Sequence, residues 1–228
     1  MLSLLNFTIA MFDLALLFYV LSTPAGNAGG SQWRLLFLAV LLGGMAYDNL
    51  VIASGYWLIE QPWFYGVSMA RFYFHVLSLP FLTLFTWSII RDSGLALGQS
   101  RLFLMVCAAM TLGALAYGIS QELWGLQLVE NSQFGVRRMS NAHGSAPVAT
   151  ILTNLFTILL AGYVWRKSGW KVLFLGAVFI FIVNGATAGQ KWGFMAGNLA
   201  EVVFALSLIA SHLHVSATAA VNRQQVLA

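Results

Sequence analysis

Apolar runs of about twenty residues recur along the whole chain, and nothing constrains its fold more. They cover roughly residues 3–22, 34–58, 66–90, 101–125, 146–165, 171–189 and 194–214. A helix needs about 20 residues to cross the hydrocarbon core of a bilayer. Lipid offers no partner for open backbone groups, and these runs lack the alternation of barrel strands, so helices are the expected spanning structure. The expected fold class is therefore all-α, a polytopic transmembrane bundle of seven helices forming one domain over residues 1–228. The expected breaks are Thr23 to Gly30 (with Pro24, Gly26, Gly29 and Gly30), Gln61-Pro62, Arg91 to Ser100, Leu126 to Pro147, Arg166 to Gly169, and Gln190 to Gly193. The last break is so short that one tight hairpin and one broken helix are both open readings. The first run starts at Met1 without a basic segment and reads as a span, not a cleaved signal.

Composition agrees. The chain is 60% hydrophobic and 8% charged, where a soluble domain carries about 25% charged residues. The net charge of +4 does not point to nucleic acid, because the basic residues sit in short loops beside apolar runs. Arg34, Arg91, Arg101, Arg166, Lys167, Lys171 and Arg223 fall on one side of a seven-span topology, and Arg137, Arg138 and Lys191 on the other. The richer side is expected to be cytoplasmic, which places the N-terminus outside, the C-terminus inside, and the protein in a bacterial inner membrane. Tryptophans near the run ends mark the two interfaces.

That topology assigns a depth to each polar group within a span. Asp48, Asn49, Arg71, His75, Glu122, Asn184, Asn198 and Glu201 all fall toward the outer half, and the long loop with Arg137, Arg138 and His143 lies above them. Asp13, near the middle of the first run, is the exception, and the inner half reads as almost purely apolar down to its rim. A charge at mid-membrane costs roughly 2.5–3.5 kcal/mol on insertion scales, so such groups face the interior, pair, or meet water. Arg71 and His75 are four apart and Asn198 and Glu201 three apart, so each pair shares a helix face.

The constellation suits acid–base work on an amphipathic lipid or isoprenoid with its polar end near the outer leaflet. Such chemistry needs carboxyl groups in contrasting environments. Asp48, His75, Glu201 and Glu122 are the candidate catalytic residues. Arg71, Asn49, Asn198, Arg138 and His143 are the candidate substrate contacts. The bland alternative is that the same groups fix helix register, with the asparagines as glue between helices. Two other functional readings stand beside the enzyme: a proton- or solute-coupled transporter or channel, and a non-enzymatic lipid- or pigment-binding or assembly subunit. A homo-oligomer is compatible with each.

No cofactor is expected. His75 and His143 with Asp48, Glu122 or Glu201 could in principle form a His/carboxylate metal site, but no ligand spacing motif supports one. His75 is the only histidine well inside a run, which disfavours haem, and no lysine lies within the core of a run to carry retinal. Cys107 has no partner cysteine.

The strings Tyr47-Asp48-Asn49-Leu50, Arg71-Phe72 with His75 and Pro80, Pro147 with Thr153-Asn154, Trp165-Arg166-Lys167 with Gly169-Trp170, and Gly197-Asn198 with Glu201 resemble a family of small polytopic membrane proteins of bacteria and plastid-bearing organisms. The resemblance covers most of the chain and implies a membrane fold, but no activity is assigned to that family. In plan, not in motif, the chain also resembles the seven-helix fungal meroterpenoid cyclases, which protonate an isoprenoid with acidic residues between helices.

Overall fold

A computed structural model describes the backbone of residues 2–23, 31–144 and 146–227, and the side chains of 2–23, 32–144 and 146–219. Pro24, Gly26, Gly29 and Gly30 of the first expected break, and the side chain of Arg223, lie outside the described residues.

Eight helices and one small hairpin make up the described chain. They are α1 (Leu2–Ser22), α2 (Ser31–Leu58), α3 (Phe64–Asp92), the short α4 (Ala96–Gln99), α5 (Arg101–Leu123), strands β1 (Leu128–Gln133) and β2 (Val136–Asn141), then α6 (Val148–Ser168), α7 (Val172–Thr187) and α8 (Gly193–Leu227). Six of them, all but α4 and α7, are long and apolar enough to cross a membrane. This is the build of an integral membrane protein. Helix α7 is apolar but has 16 residues, a length of about 24 Å set against a hydrocarbon core of about 30 Å. The turn at Ala188–Trp192 separates α7 from α8, and the two pack closely along each other. The last two runs are therefore a hairpin of two helices.

The helix faces are set by their few polar residues. In α1 the buried positions are Asn6, Ile9, Ala10, Asp13 and Val20, a three-and-four spacing that forms one stripe. That stripe packs on α2, while Leu4, Phe18 and Leu21 point outward. The main core lies between α2, α3, α6, α7 and α8, where Leu38, Leu42, Phe85, Ile89, Leu173 and Leu208 are fully buried. Pro80 interrupts α3. It has no N–H to give the ladder, and Leu79–Phe81 tightens into a 3₁₀ turn there. A π-turn, Ile119–Leu123, ends α5. Ser100 caps α5, its Oγ accepting from the Phe103 amide at 3.3 Å.

The segment expected as a loop from Leu126 to Pro147 contains the antiparallel hairpin β1–β2. Phe134 (φ 52°) and Gly135 (φ 77°) form its two-residue turn, both in the left-handed region that a twisted hairpin requires. The hairpin lies against the end of α2, with Gly55 beneath it. A Cβ on Gly55 would run into the Arg137 carbonyl. Arg71 ties the hairpin to α3, donating from Nη1 to the Met139 carbonyl at 3.1 Å. Tyr65 adds a second tie, its hydroxyl accepting from the Leu128 amide at 3.3 Å.

Candidate functional site

Under the hairpin lies a cavity of about 820 Å³. Asp48 from α2, Arg71 and His75 from α3, Arg138 from β2, Thr150 and Asn154 from α6, and Asn198 and Glu201 from α8 all line it. Its walls also carry Leu41, Met45, Leu82, Ile180 and Phe204, which are apolar. A polar mouth over an apolar floor is the shape that an amphiphile fills.

The polar groups form tiers. Arg71 Nε donates to Asp48 Oδ1 at 2.8 Å, and this pair sits directly beneath β2. His75 is one helical turn further along α3. Its Nε2 lies 3.4 Å from Thr150 Oγ1, and the ring is exposed to the cavity. On α8 the order is Phe194, Asn198, Glu201, all on one face. The Arg138 guanidinium lies over the Phe194 ring, Cζ to centroid 4.3 Å. Glu201 is half-buried, and among the described residues it has neither a hydrogen bond nor an ion pair. Asn154 Oδ1 is buried with no partner among the described residues.

The two arginines of β2 face opposite ways, as adjacent strand residues must. Arg137 forks outward onto Glu130, at 2.7 Å and 3.3 Å, and onto Glu60 at 3.0 Å. The hydrogen bond from Arg137 holds the Glu130 carboxyl below its usual value, and the same contact raises the Arg137 guanidinium. Arg138 turns inward. Burial lowers its guanidinium from the ordinary value, and nearby Arg71 lowers it further.

Three expected site residues are elsewhere. Glu122 sits in the π-turn of α5, outside the cavity, with a buried Oε1 that has no partner among the described residues. Its backbone is wound one residue out of α-register there, and the side chain lies toward the start of α6. His143 is exposed after β2, its amide donating to Asn141 Oδ1 at 2.9 Å, and does not line the cavity. Asn49 is fully buried and turned toward α1. It follows Asp48 immediately, so on a helix it points about 100° away. Asn49 Nδ2 donates to Asp13 Oδ2 at 3.2 Å, and Asn49 Oδ1 accepts from Asn198 Nδ2 at 2.8 Å. Asn198 also donates to Asn6 Oδ1 at 3.3 Å. Asp13 is thus no isolated exception; it ends a chain of side chains that begins at the cavity wall.

At the opposite end of the bundle, sequence reasoning missed a second buried polar group. Arg34, with no exposed surface, donates from Nη1 to Asp92 Oδ2 at 2.6 Å and from Nε to His212 Nδ1 at 3.2 Å. Asp92 also accepts from Arg91 at 2.8 Å. This group lies at the inner rim, where it is enclosed by the bundle. The signal was present as Arg34, Asp92 and His212, three polar residues near run ends; their pairing depends on how the helices pack.

Among the described residues no three His, Cys, Asp or Glu side chains gather into a group that could hold a metal. The suggested set of His75, His143 and a carboxylate is not assembled, since His143 lies outside the cavity. Phe74 and Ser78 line the cavity and also a second, apolar groove of about 630 Å³ between α2 and α3. Comparison of the chain with family models, with curated proteins and with solved structures gave no match.

Proposed function

We propose that this protein is a membrane-embedded enzyme that acts on a lipid or isoprenoid by acid–base chemistry in the cavity beneath the hairpin. In this reading the chain is a single domain that crosses the membrane seven times, α7 included. The hairpin end faces outside and the C-terminus is cytoplasmic, by the excess of Lys and Arg at the other end. The expected membrane is a bacterial inner membrane.

One observation carries the reading: Asp48, His75 and Glu201, from three helices, line one cavity whose floor is apolar. Their environments differ. Asp48 is paired with Arg71 and suits a base or an electrostatic stabiliser. Glu201 lacks such a partner and borders apolar wall, and it is the proton donor of this reading. His75, with Thr150 at its Nε2, lines the same cavity and is the proton carrier of this reading. The groove that shares Phe74 and Ser78 with the cavity supports entry from the lipid side.

The test is expression in a bacterial host followed by mass spectrometry of the total lipid extract. Wild type should generate lipid species that Asp48→Asn and Glu201→Gln do not, with both variants melting in detergent as wild type does. If wild type and Glu201→Gln give the same lipid profile, the enzyme reading fails.

A coupled transporter is the second reading, and the Arg34–Asp92–His212 group favours it by placing polar residues beyond the midplane. Between the two polar layers, however, α2 presents Leu38, Leu41, Leu42 and Met45, α3 presents Leu82 and Phe85, and α8 presents Ala205 and Leu208, all buried. From Arg34 to Asn49 is 15 residues on α2, about 22 Å of helix. A water-accessible path through that layer, seen by cysteine labelling at Leu42 and Leu208, would reverse the ranking.

A further inference from the structure

The Arg138 side chain lines the cavity, yet among the described residues it has no hydrogen bond and no ion pair. Every neighbouring acid of the hairpin end with a partner is committed elsewhere: Asp48 to Arg71, and Glu130 and Glu60 to Arg137 on the other face of β2. Stacking on Phe194 occupies one face of the guanidinium and leaves its N–H edge open. A planar fork of donors facing a partly desolvated cavity, beside a second guanidinium, is suited to a phosphate or carboxylate taken in a bidentate grip. Depth adds the rest. Glu201 lies seven residues beyond Phe194 on the same face of α8, which is about 10 Å further into the bundle. Asn198 falls between, and His75, Leu82, Ile180 and Phe204 line the same cavity.

We infer that Arg138 holds the anionic head of an amphiphilic ligand at the cavity mouth, while the chain of that ligand runs down α8 so that Glu201 meets the chain and not the head. The inference rests on the reading of this cavity as a lipid or isoprenoid site and names the class of substrate: a single hydrocarbon chain with a phosphate or carboxylate terminus. It also divides the work, with Arg138 as the binding group at the mouth, Arg71 holding Asp48, and Asp48, His75 and Glu201 as the reacting groups.

The experiment uses the full chain in uncharged detergent and three probes: oleoyl lysophosphatidic acid, monoolein, which has the same tail and glycerol without the phosphate, and inorganic phosphate. Binding is measured by native mass spectrometry. The phosphate-bearing lipid should bind about tenfold or more tighter than monoolein, the scale of a charge-assisted pair of hydrogen bonds. Arg138→Gln should bring the two lipids to within about twofold of each other. Arg138→Lys, which keeps the charge and loses the fork, should retain part of the preference, and it decides the matter if Arg138→Gln binds neither lipid. Equal binding of the two lipids by wild type, no binding of either, or a preference unchanged in both variants overturns the inference. Inorganic phosphate that displaces the lipid at equal concentration also overturns it, because the site would then be for a free anion. Glu201→Gln should bind the phosphate-bearing lipid as wild type does. Loss of lipid turnover in that variant with binding intact supports both readings; turnover without the phosphate preference sinks this inference alone.

Discussion

Asn198 of α8 donates a 2.8 Å hydrogen bond to Asn49 of α2, and through Asn49 it is joined to Asp13 of α1. The first two helices and the last are thus tied at one depth, with Asn49 fully buried and hydrogen-bonded on both sides. Replacing it by leucine removes both bonds at once, strips the Asp13 carboxyl of its partner and leaves the Asn198 amide only its longer bond to Asn6. A buried polar group so stranded costs about 1–3 kcal/mol, and bonds between membrane helices fall at the low end of such values. Asn49→Leu is expected to lower stability by about 1 kcal/mol or more on that basis. Unfolding by titration with sodium dodecyl sulfate measures it. Thr8→Val, which loses only an exposed bond to its own helix at Leu4, serves as the control and should behave as wild type.

The Arg34 group predicts a larger effect. Arg34 is fully enclosed, and both Asp92 and His212 are arranged around it. Arg34→Met should cost about 3–5 kcal/mol, the scale for stranding one member of a buried pair. The double variant Arg34→Met with Asp92→Leu should recover a good part of that loss, because the orphaned carboxylate is gone. The same detergent titration on the two single variants and the double gives the coupling directly. Additive losses would mean that the 2.6 Å pair contributes no interaction of its own.

The helical type of the apolar runs was legible because length and apolar content suffice for it, while the run at 171–189 gave a helix of only 16 residues beside six long ones. Their relative rotation was not, and the reason is physical. A helix that is apolar all round, such as α1, has no hydrophobic face to read; only Asn6 and Asp13 mark its inner side. The i,i+3 and i,i+4 pairs carried through, so Arg71 with His75 and Asn198 with Glu201 do share the cavity. Asn49 failed because depth alone was used, and depth cannot separate two residues 100° apart on one helix. Glu122 failed because a π-turn shifts the register where it sits. The β-hairpin escaped notice because its turn is Phe134-Gly135, without the Asn-Gly or Asp-Gly that signals such a turn.

Gly55 fixes how closely the hairpin approaches the bundle. A side chain there meets the Arg137 carbonyl, which is backbone and cannot swing aside. Gly55→Val should lift β2 from α2 and break the Arg71 bond to the Met139 carbonyl, at a cost of about 1–3 kcal/mol for overpacking. Hydrogen–deuterium exchange should rise across Val136–Asn141 while the interiors of α2 and α6 stay protected. Gly43→Ala on the same helix, where an added Cβ meets nothing within 4 Å, should leave the hairpin unchanged. Equal exchange in the two variants would show that the close approach does not hold the hairpin.

The outward face of the hairpin should respond to acid. The Arg137 guanidinium holds the Glu130 carboxyl below its usual value of 4.5, so the folded hairpin binds a proton there less readily than the open chain does. A carboxyl depressed in the folded state contributes stability that is fully present above its unfolded value and lost as pH falls through its folded value. Arg137 stays charged throughout. Hairpin protection, corrected for intrinsic exchange rates, is therefore expected to stay level from neutrality down to about pH 4.5 and to fall below it. The pair is exposed, so the change should be modest and should shrink further in high salt. Glu130→Gln removes the titrating group; its hairpin should start less protected and show a smaller decline. If wild type and Glu130→Gln instead decline in parallel, another acid governs the hairpin, and Glu60, the second partner of Arg137 at 3.0 Å, is the group to replace next.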